Sequence, residues 1–196
     1  MLPEFKDVVT STQCTLKHSR LLLNTPYLAC SSLGYMTRFL LPSTVEIILS
    51  NLADERPQDF LRNSAGKIFP YGPTIKIRLS SVGTSDSWSE LALLPALVEA
   101  CDVVHMISID APMASIANVE YDDQDWTVFA SLRHLQLRYC DQLTESEVQL
   151  LADNVMTGAE SERGLQSLEI LSCRNVSEEF LSEMSTEVGP KLKWKL

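Results

Sequence analysis

No stretch of this 196-residue chain approaches the ~18 consecutive apolar residues of a membrane-spanning helix. The opening residues, MLPEFKDVVTST, place Glu4 and Asp7 where a secretory signal would carry positive charge, and no long apolar run follows. Basic residues are in short supply: Lys and Arg number 16 against 26 Asp and Glu, a formal net charge of −10. That balance excludes a general nucleic-acid binder, which needs a basic footprint, and it disfavours anionic membrane surfaces. Metal and redox spacings are missing too. The five cysteines (Cys14, Cys30, Cys101, Cys140 and Cys173) are odd in number and contain no C-x-x-C pair. No His/Cys cluster has zinc-like spacing. The cysteines read as reduced, mostly buried thiols of an intracellular protein, cytoplasmic or nuclear.

Catalytic signatures are equally lacking. There is no G-x-S-x-G, no P-loop, no G-x-G-x-x-G and no H-E-x-x-H. His105 and His134 lie near Cys140 but are expected on opposite faces, and Cys140 falls at a core position, where a thiol is inert. The acidic stretch Glu120, Asp122, Asp123 and Asp125 lacks the spacing of a calcium loop and reads as a solvated segment. The expectation is therefore a protein that is not an enzyme and uses no cofactor and no metal.

What the chain does have is a repeat. LRHLQLRYC (132–140) returns as LQSLEILSC (165–173), 33 residues later. Leu132, Leu135, Leu137 and Cys140 fall on Leu165, Leu168, Ile170 and Cys173. The match continues through Leu143 on Val176, Thr144 on Ser177 and Val148 on Leu181. Traced backwards, Leu135 and Leu137 find counterparts in Ile107 and Ile109, then Ile77 and Leu79, then Ile47 and Leu49. The steps along Ile47, Ile77, Ile107, Leu135 and Leu168 are 30, 30, 28 and 33 residues. Each centre is a short alternating run (TVEIILS, TIKIRLS, VHMISID, RHLQLRY, QSLEILS), which predicts strands over 45–49, 75–79, 105–109, 133–137 and 166–170.

Helical patterns lie between them. Pro57 suits a first helical turn ahead of Phe60, Leu61 and Ile68. Ser87–Glu90 spells a capping box before Leu91, Leu94, Leu97, Val98 and Cys101, with Pro95 set to kink or restart that helix. Thr144–Glu147 spells a second box, followed by Val148, Leu151, Val155 and Met156 at helical spacing. Ser177 is an expected N-cap, with Leu181, Met184 and Val188 facing inward. Trp126 and Phe129 mark a short helix, and Gly158–Gly164 reads as an exposed turn. The closing KLKWKL alternates again: Leu192, Trp194 and Leu196 are expected inward, while Lys191, Lys193 and Lys195 face water and protect a strand edge.

The pattern L-x-x-L-x-L-x-x-C, then L-T/S and a helical stretch, resembles a cysteine-containing leucine-rich repeat. Self-similarity at this period predicts an α/β leucine-rich-repeat horseshoe solenoid, with parallel strands on the concave face and helices on the convex face. Residues 1–43 are expected to form an N-terminal cap or degenerate repeat, with short strands at Val8–Val9 and Leu21–Leu23. Residues 44–196 form the repeat domain, about five repeats plus the terminal strand.

Residues 132–188 resemble the repeats of F-box leucine-rich-repeat proteins, and LLPSTVEIILS resembles fungal members of that group. In that family the repeats hold a substrate, and a separate F-box docks on the adaptor subunit of a cullin ubiquitin ligase. The resemblance implies a protein-interaction module, a substrate-recognition subunit of an SCF-type ubiquitin ligase without a clear F-box. Leu41–Leu52 has the opening of an F-box but is also in register as the first repeat strand. The alternative is a leucine-rich-repeat signalling regulator or scaffold acting through an enzyme partner such as a small GTPase.

Alternation sends the residues between the Leu and Ile positions to the bare sheet face. In the traced register one row is Glu46, Lys76, Met106, His134 and Ser167. The next is Ile48, Arg78, Ser108, Gln136 and Glu169, and the third is Ser50, Ser80, Asp110, Arg138 and Leu171. The candidate protein-binding residues are Glu46, Lys76, Arg78, Asp110, His134, Arg138 and Glu169, with Arg78 and Arg138 as the expected energetic centre.

Overall fold

Period-two alternation decides how this chain folds, because it makes each repeat strand apolar on one face and polar on the other. The computed structural model describes residues 13–17, 20–24, 43–50, 72–80, 93–113, 116, 126–156 and 164–196. Its strands are β1 (Gln13–Lys17), β2 (Arg20–Asn24), β3 (Thr44–Ser50), β4 (Thr74–Ser80), β5 (Met106–Asp110), β6 (His134–Arg138), β7 (Ser167–Leu171) and β8 (Leu192–Lys195). They form one sheet whose spatial order is the chain order. β1 pairs antiparallel with β2, and every later neighbouring pair is parallel. Helices α1 (Leu93–Ala100), α2 (Glu145–Leu151) and α3 (Glu178–Val188) lie in the connections, so the protein is of the α/β class with a parallel sheet. Parallel neighbours need long crossovers, which is what the 28- to 33-residue repeat supplies.

The inward residues form one core. Ile75, Ile77, Ile107, Ile109, Leu135, Leu137, Leu168 and Ile170 are buried in a single cluster with Leu94 and Leu97 of α1, Val148 and Leu151 of α2, and Leu181 and Met184 of α3. The strands at the five expected positions are present and parallel, each within a residue or two of its expected bounds. The register corrects the sequence reading at one step. That reading sets Ile77 and Leu79 opposite Ile107 and Ile109; the structure sets Ile75 and Ile77 there. The physical reason is that period-two alternation fixes the face of a strand, while a slip of two residues keeps every side chain on its face. The observed register matches Ile75 and Ile77 to Ile107 and Ile109, and continues Leu79 toward the buried Ala111.

The helix signals act as local chemistry dictates. Thr144 caps α2: its Oγ1 accepts from the Glu147 amide at 3.2 Å, and the Thr144 amide donates to Glu147 Oε2 at 2.8 Å. Ser177 caps α3, its Oγ accepting from the Phe180 amide at 3.2 Å. The same hydroxyl donates to Glu145 Oε1 at 2.6 Å, and the Ser177 amide donates to it at 3.1 Å, so one repeat's helix start holds the next one's. Those two donors lower the Glu145 carboxyl below the usual carboxylate range. α1 begins at Leu93, which puts Pro95 in its first turn, where a missing amide proton costs nothing. Trp126–Ser131 forms a 3₁₀ turn with Phe129 buried and the Trp126 ring 5.3 Å away.

The repeat cysteines sit where each strand ends. Tyr139 (φ 49°) and Ser172 (φ 54°) take left-handed conformations, a cost of about 1 kcal/mol or more for a residue with a side chain. Their amides extend the ladder, Tyr139 to the Leu171 carbonyl at 2.9 Å and Ser172 to that of Lys195 at 2.7 Å. The turn drops the next residue into the core. The Cys140 thiol donates to the Arg138 and Ile109 carbonyls, and Cys173 to those of Leu171 and Leu137. The sulfur of Cys173 hydrogen-bonded beside it, and then burial, push the Cys140 thiol far above the ordinary range, so it is an inert thiol at neutral pH. Burial likewise pushes up Cys101, which closes α1 onto Gly72.

β8 confirms the terminal strand: Leu192 is buried, Trp194 is half-buried, and Lys193 and Lys195 are exposed. Lys191 is half-buried, and Leu196 departs from the expectation: at 49% exposure it lies beyond the last pairing with β7 and finds no core to enter. Leu21–Leu23 fall in β2, as expected. Val8–Val9, His18, the segments around Pro57 and Ser87, the Asp122–Asp123 stretch and residues 157–163 lie outside the described residues.

Leu135→Ala removes a side chain buried at the centre of the core and is expected to cost about 2–5 kcal/mol in denaturant unfolding. A loss below about 1 kcal/mol would contradict the burial of this column. The Glu145 contact predicts a pH dependence. A carboxyl whose folded pKa is depressed adds stability above its unfolded pKa and loses it as pH falls through the folded value. The stability gap between the wild type and Glu145→Gln is expected to be full near neutrality and to close on acidification below the ordinary carboxylate range. A gap that stays constant from neutrality to the acid side would contradict it.

Candidate functional site

With one face of the sheet covered by helices, the other carries the intervening side chains of β3 to β8. The register arranges them in rows that run across the strands. Met106, His134 and Ser167 stand in one row. Glu46, Lys76, Ser108, Gln136, Glu169 and Lys193 form the second. Ile48, Arg78, Asp110, Arg138, Leu171 and Lys195 form the third.

The two-residue slip between β4 and β5 therefore corrects the expected grouping. Glu46 and Lys76 stand in line with Ser108 and Gln136, not with Met106 and His134. Arg78 stands beside Asp110, not Ser108. Each expected residue is on the expected face, but the neighbours change, and the new ones are chemically complementary. Arg78 Nε lies 3.3 Å from Asp110 Oδ2, an exposed ion pair between adjacent strands. Arg138 follows Asp110 on the other side, so the carboxylate stands between two guanidinium groups in one row.

From Ser108 onward the second row is joined by hydrogen bonds and an ion pair. Ser108 Oγ donates to Gln136 Oε1 at 2.9 Å, and Gln136 Nε2 donates to Glu169 Oε2 at 2.8 Å. Glu169 Oε1 then meets Lys193 Nζ at 3.6 Å. Four strands are tied by this chain, in which Ser108, Gln136 and Glu169 are partly buried and Lys193 is exposed, and the bonds on both sides of Gln136 and Glu169 restrict their rotamers. Ser108, Gln136 and Lys193 are functional candidates that sequence reasoning passed over. The signal for Lys193 was present: counting KLKWKL as one further in-register strand puts it in line with Glu169.

A shallow pocket of about 120 Å³ opens over β4 to β6, bounded by Lys76, Arg78, Ser108, Asp110, Gln136 and Arg138, with Glu46 at its rim. Arg138 is partly buried, and its Nε has no hydrogen-bond partner among the described residues. Its guanidinium carbon lies 5.7 Å from the centre of the Tyr139 ring, which is 46% exposed at the end of β6. A second, wider depression of about 380 Å³ lies over β5 to β8, lined by Met106, His134, Gln136, Ser167, Glu169 and Lys193. His134 is exposed at its edge and is not joined to the Arg78–Asp110–Arg138 row. His105 precedes β5 and bonds the Ser131 carbonyl at 3.0 Å through Nδ1.

The face carries five cations, Lys76, Arg78, Arg138, Lys193 and Lys195, against the carboxylates of Glu46, Asp110 and Glu169. That is a local excess of two positive charges in a chain of net charge −10. Among the described residues no group of three His, Cys, Asp or Glu side chains is placed to hold a metal ion. No helix among them is long and apolar enough to cross a membrane. Chemically, the face offers fixed guanidinium, ammonium and carboxamide groups, a recognition surface for polar and charged groups. Comparison of the chain with protein-family models, with curated proteins and with solved structures gives no match.

Proposed function

We propose that the chain is a leucine-rich-repeat interaction module that binds a protein partner on the open face of its sheet. In this reading the repeats form a horseshoe solenoid, with the strands on the concave side and the helices on the convex side. The observation that carries it is the row Arg78–Asp110–Arg138 beside the row Ser108–Gln136–Glu169, which is joined by hydrogen bonds and extended to Lys193 by an ion pair. Two rows of polar groups fixed on rigid strands are pre-organised, so a partner ordering them gives up little side-chain entropy. Arginine near the centre of such a face is a common source of binding energy.

The resemblance of residues 132–188 to F-box leucine-rich-repeat proteins supports a substrate-holding role within an SCF-type ubiquitin ligase. The F-box-like opening at Leu41 adds nothing to that, since Thr44–Ser50 is a strand of the sheet rather than the helix an F-box needs. Adaptor docking therefore does not belong to this segment in our reading, and the ligase role rests on the repeats.

The test compares the wild type with Arg78→Glu/Arg138→Glu in parallel affinity purifications with quantitative mass spectrometry. Neither side chain supports the core, so the thermal melt is expected to be unchanged, while genuine partners fall by at least about tenfold. Loss of ligase substrates while a cullin and its adaptor are retained identifies the ligase role. Loss of a small GTPase instead identifies a signalling regulator. An unchanged partner set with an unchanged melt would remove the binding site from this face, toward the acidic residues around Asp122 and Asp123.

A further inference from the structure

The proposed binding face leaves open what it recognises, and its charge and register narrow the choice. Arg138 lines the pocket over β4 to β6, and its Nε, closed off from solvent, has no partner among the described residues. A guanidinium N–H held away from water favours an acceptor, and a charged acceptor most of all. The neighbouring carboxylate, Asp110, is already engaged by Arg78 at 3.3 Å, so it does not fill that role. The pocket in front of Arg138 measures about 120 Å³, room for a carboxylate group and not for a folded element. Its lining holds Lys76, Arg78 and Arg138 against Glu46 and Asp110, one positive charge in excess. One excess charge matches a single carboxylate and falls short of a phosphate dianion.

The rows set a spacing. Arg138 on β6 and Lys195 on β8 stand in one row, two strands apart. At the strand separation of a sheet that is about 10 Å. An extended peptide in the polyproline II conformation advances about 3.1 Å per residue with three residues per turn, so acidic groups three residues apart lie on one side about 9 Å apart and reach both cations when the peptide crosses the strands. Leu171 lies between them and offers an apolar contact to the intervening residues.

We infer that the open sheet face takes an extended acidic peptide segment laid across the strands, with one carboxylate on Arg138 and a second, three residues away, on Lys195. The inference rests on the proposed protein-binding role of this face. Electrostatic complementarity supports this: the face carries a local excess of two positive charges, which draws an acidic segment toward it in a chain of net charge −10.

The test uses a seven-residue peptide with glutamate at every third position and alanine between, titrated into the isotope-labelled protein by NMR at low salt. Shifts are expected at β6 to β8, with affinity at least tenfold weaker for the glutamine version of the peptide. Arg138→Gln and Lys195→Gln are each expected to weaken binding several-fold with an unchanged melt, and Lys195, exposed at the sheet edge, serves where the Arg138 variant perturbs the fold. Equal binding of the glutamate and glutamine peptides would overturn the inference. So would a phosphoserine version binding at least tenfold tighter than glutamate, which would make the site one for phosphate. If the peptide fails while the double arginine-to-glutamate variant still loses its partners, the face binds protein of another chemistry. If both fail, the proposed binding face itself falls.

Discussion

Everything in this protein hangs on the parallel pairing of short strands whose apolar positions lie in columns. Val45, Ile75, Ile107, Leu135 and Leu168 follow one another across five strands at the same level, each buried. A buried Leu or Ile contributes roughly 1.5–3 kcal/mol relative to an exposed one, so a one-residue slip in any strand would expose a set of them and is strongly selected against. The same constraint builds the functional face without further design: whatever lies between the buried positions is presented in rows on the opposite side.

The rows connect fold to chemistry. Side chains on neighbouring strands stand about 5 Å apart, close enough for Ser108, Gln136, Glu169 and Lys193 to bond in sequence although they are spread over the second half of the chain. The repeat also reuses its local solutions. The left-handed residue before each repeat cysteine, the inward thiol and the capped helix start recur in the last two units. Where they recur they touch: Glu145 at one helix start accepts from Ser177 at the next. Contacts of this kind hold each repeat unit to the next one along the sheet.

Legibility in the sequence followed the strength of the local signals. The capping box at Thr144 and the N-cap at Ser177 are short-range chemistry, and both are found in place. The strand positions follow from alternation, and so does the face on which Lys76, Arg78, Asp110, Arg138 and Glu169 lie. The register between β4 and β5 does not, because TIKIRLS offers three apolar positions and a two-residue slip leaves the faces unchanged. That slip is what separated Arg78 from Asp110 in the sequence reading and hid the ion pair. β1 carried no signal either: its antiparallel pairing with β2 is joined by His18-Ser19, without the Asn-Gly or Asp-Gly that marks a tight hairpin. The unsatisfied Nε of Arg138 depends on burial and neighbours, which no single sequence displays.

The register between β4 and β5 is the point on which the rows, the ion pair and the pocket all depend. Paired cysteine substitutions measure it directly. Lys76→Cys with Ser108→Cys places two thiols opposite each other on adjacent strands, while Lys76→Cys with Met106→Cys places them on a diagonal. Under mild oxidation the first pair is expected to form an intramolecular disulfide at least about tenfold faster than the second, since directly opposed side chains stand about 5 Å apart and diagonal ones about 7–8 Å. Faster closure of the Lys76–Met106 pair would contradict the account, because it would return Arg78 to the row of Ser108 and dissolve the Arg78–Asp110–Arg138 constellation.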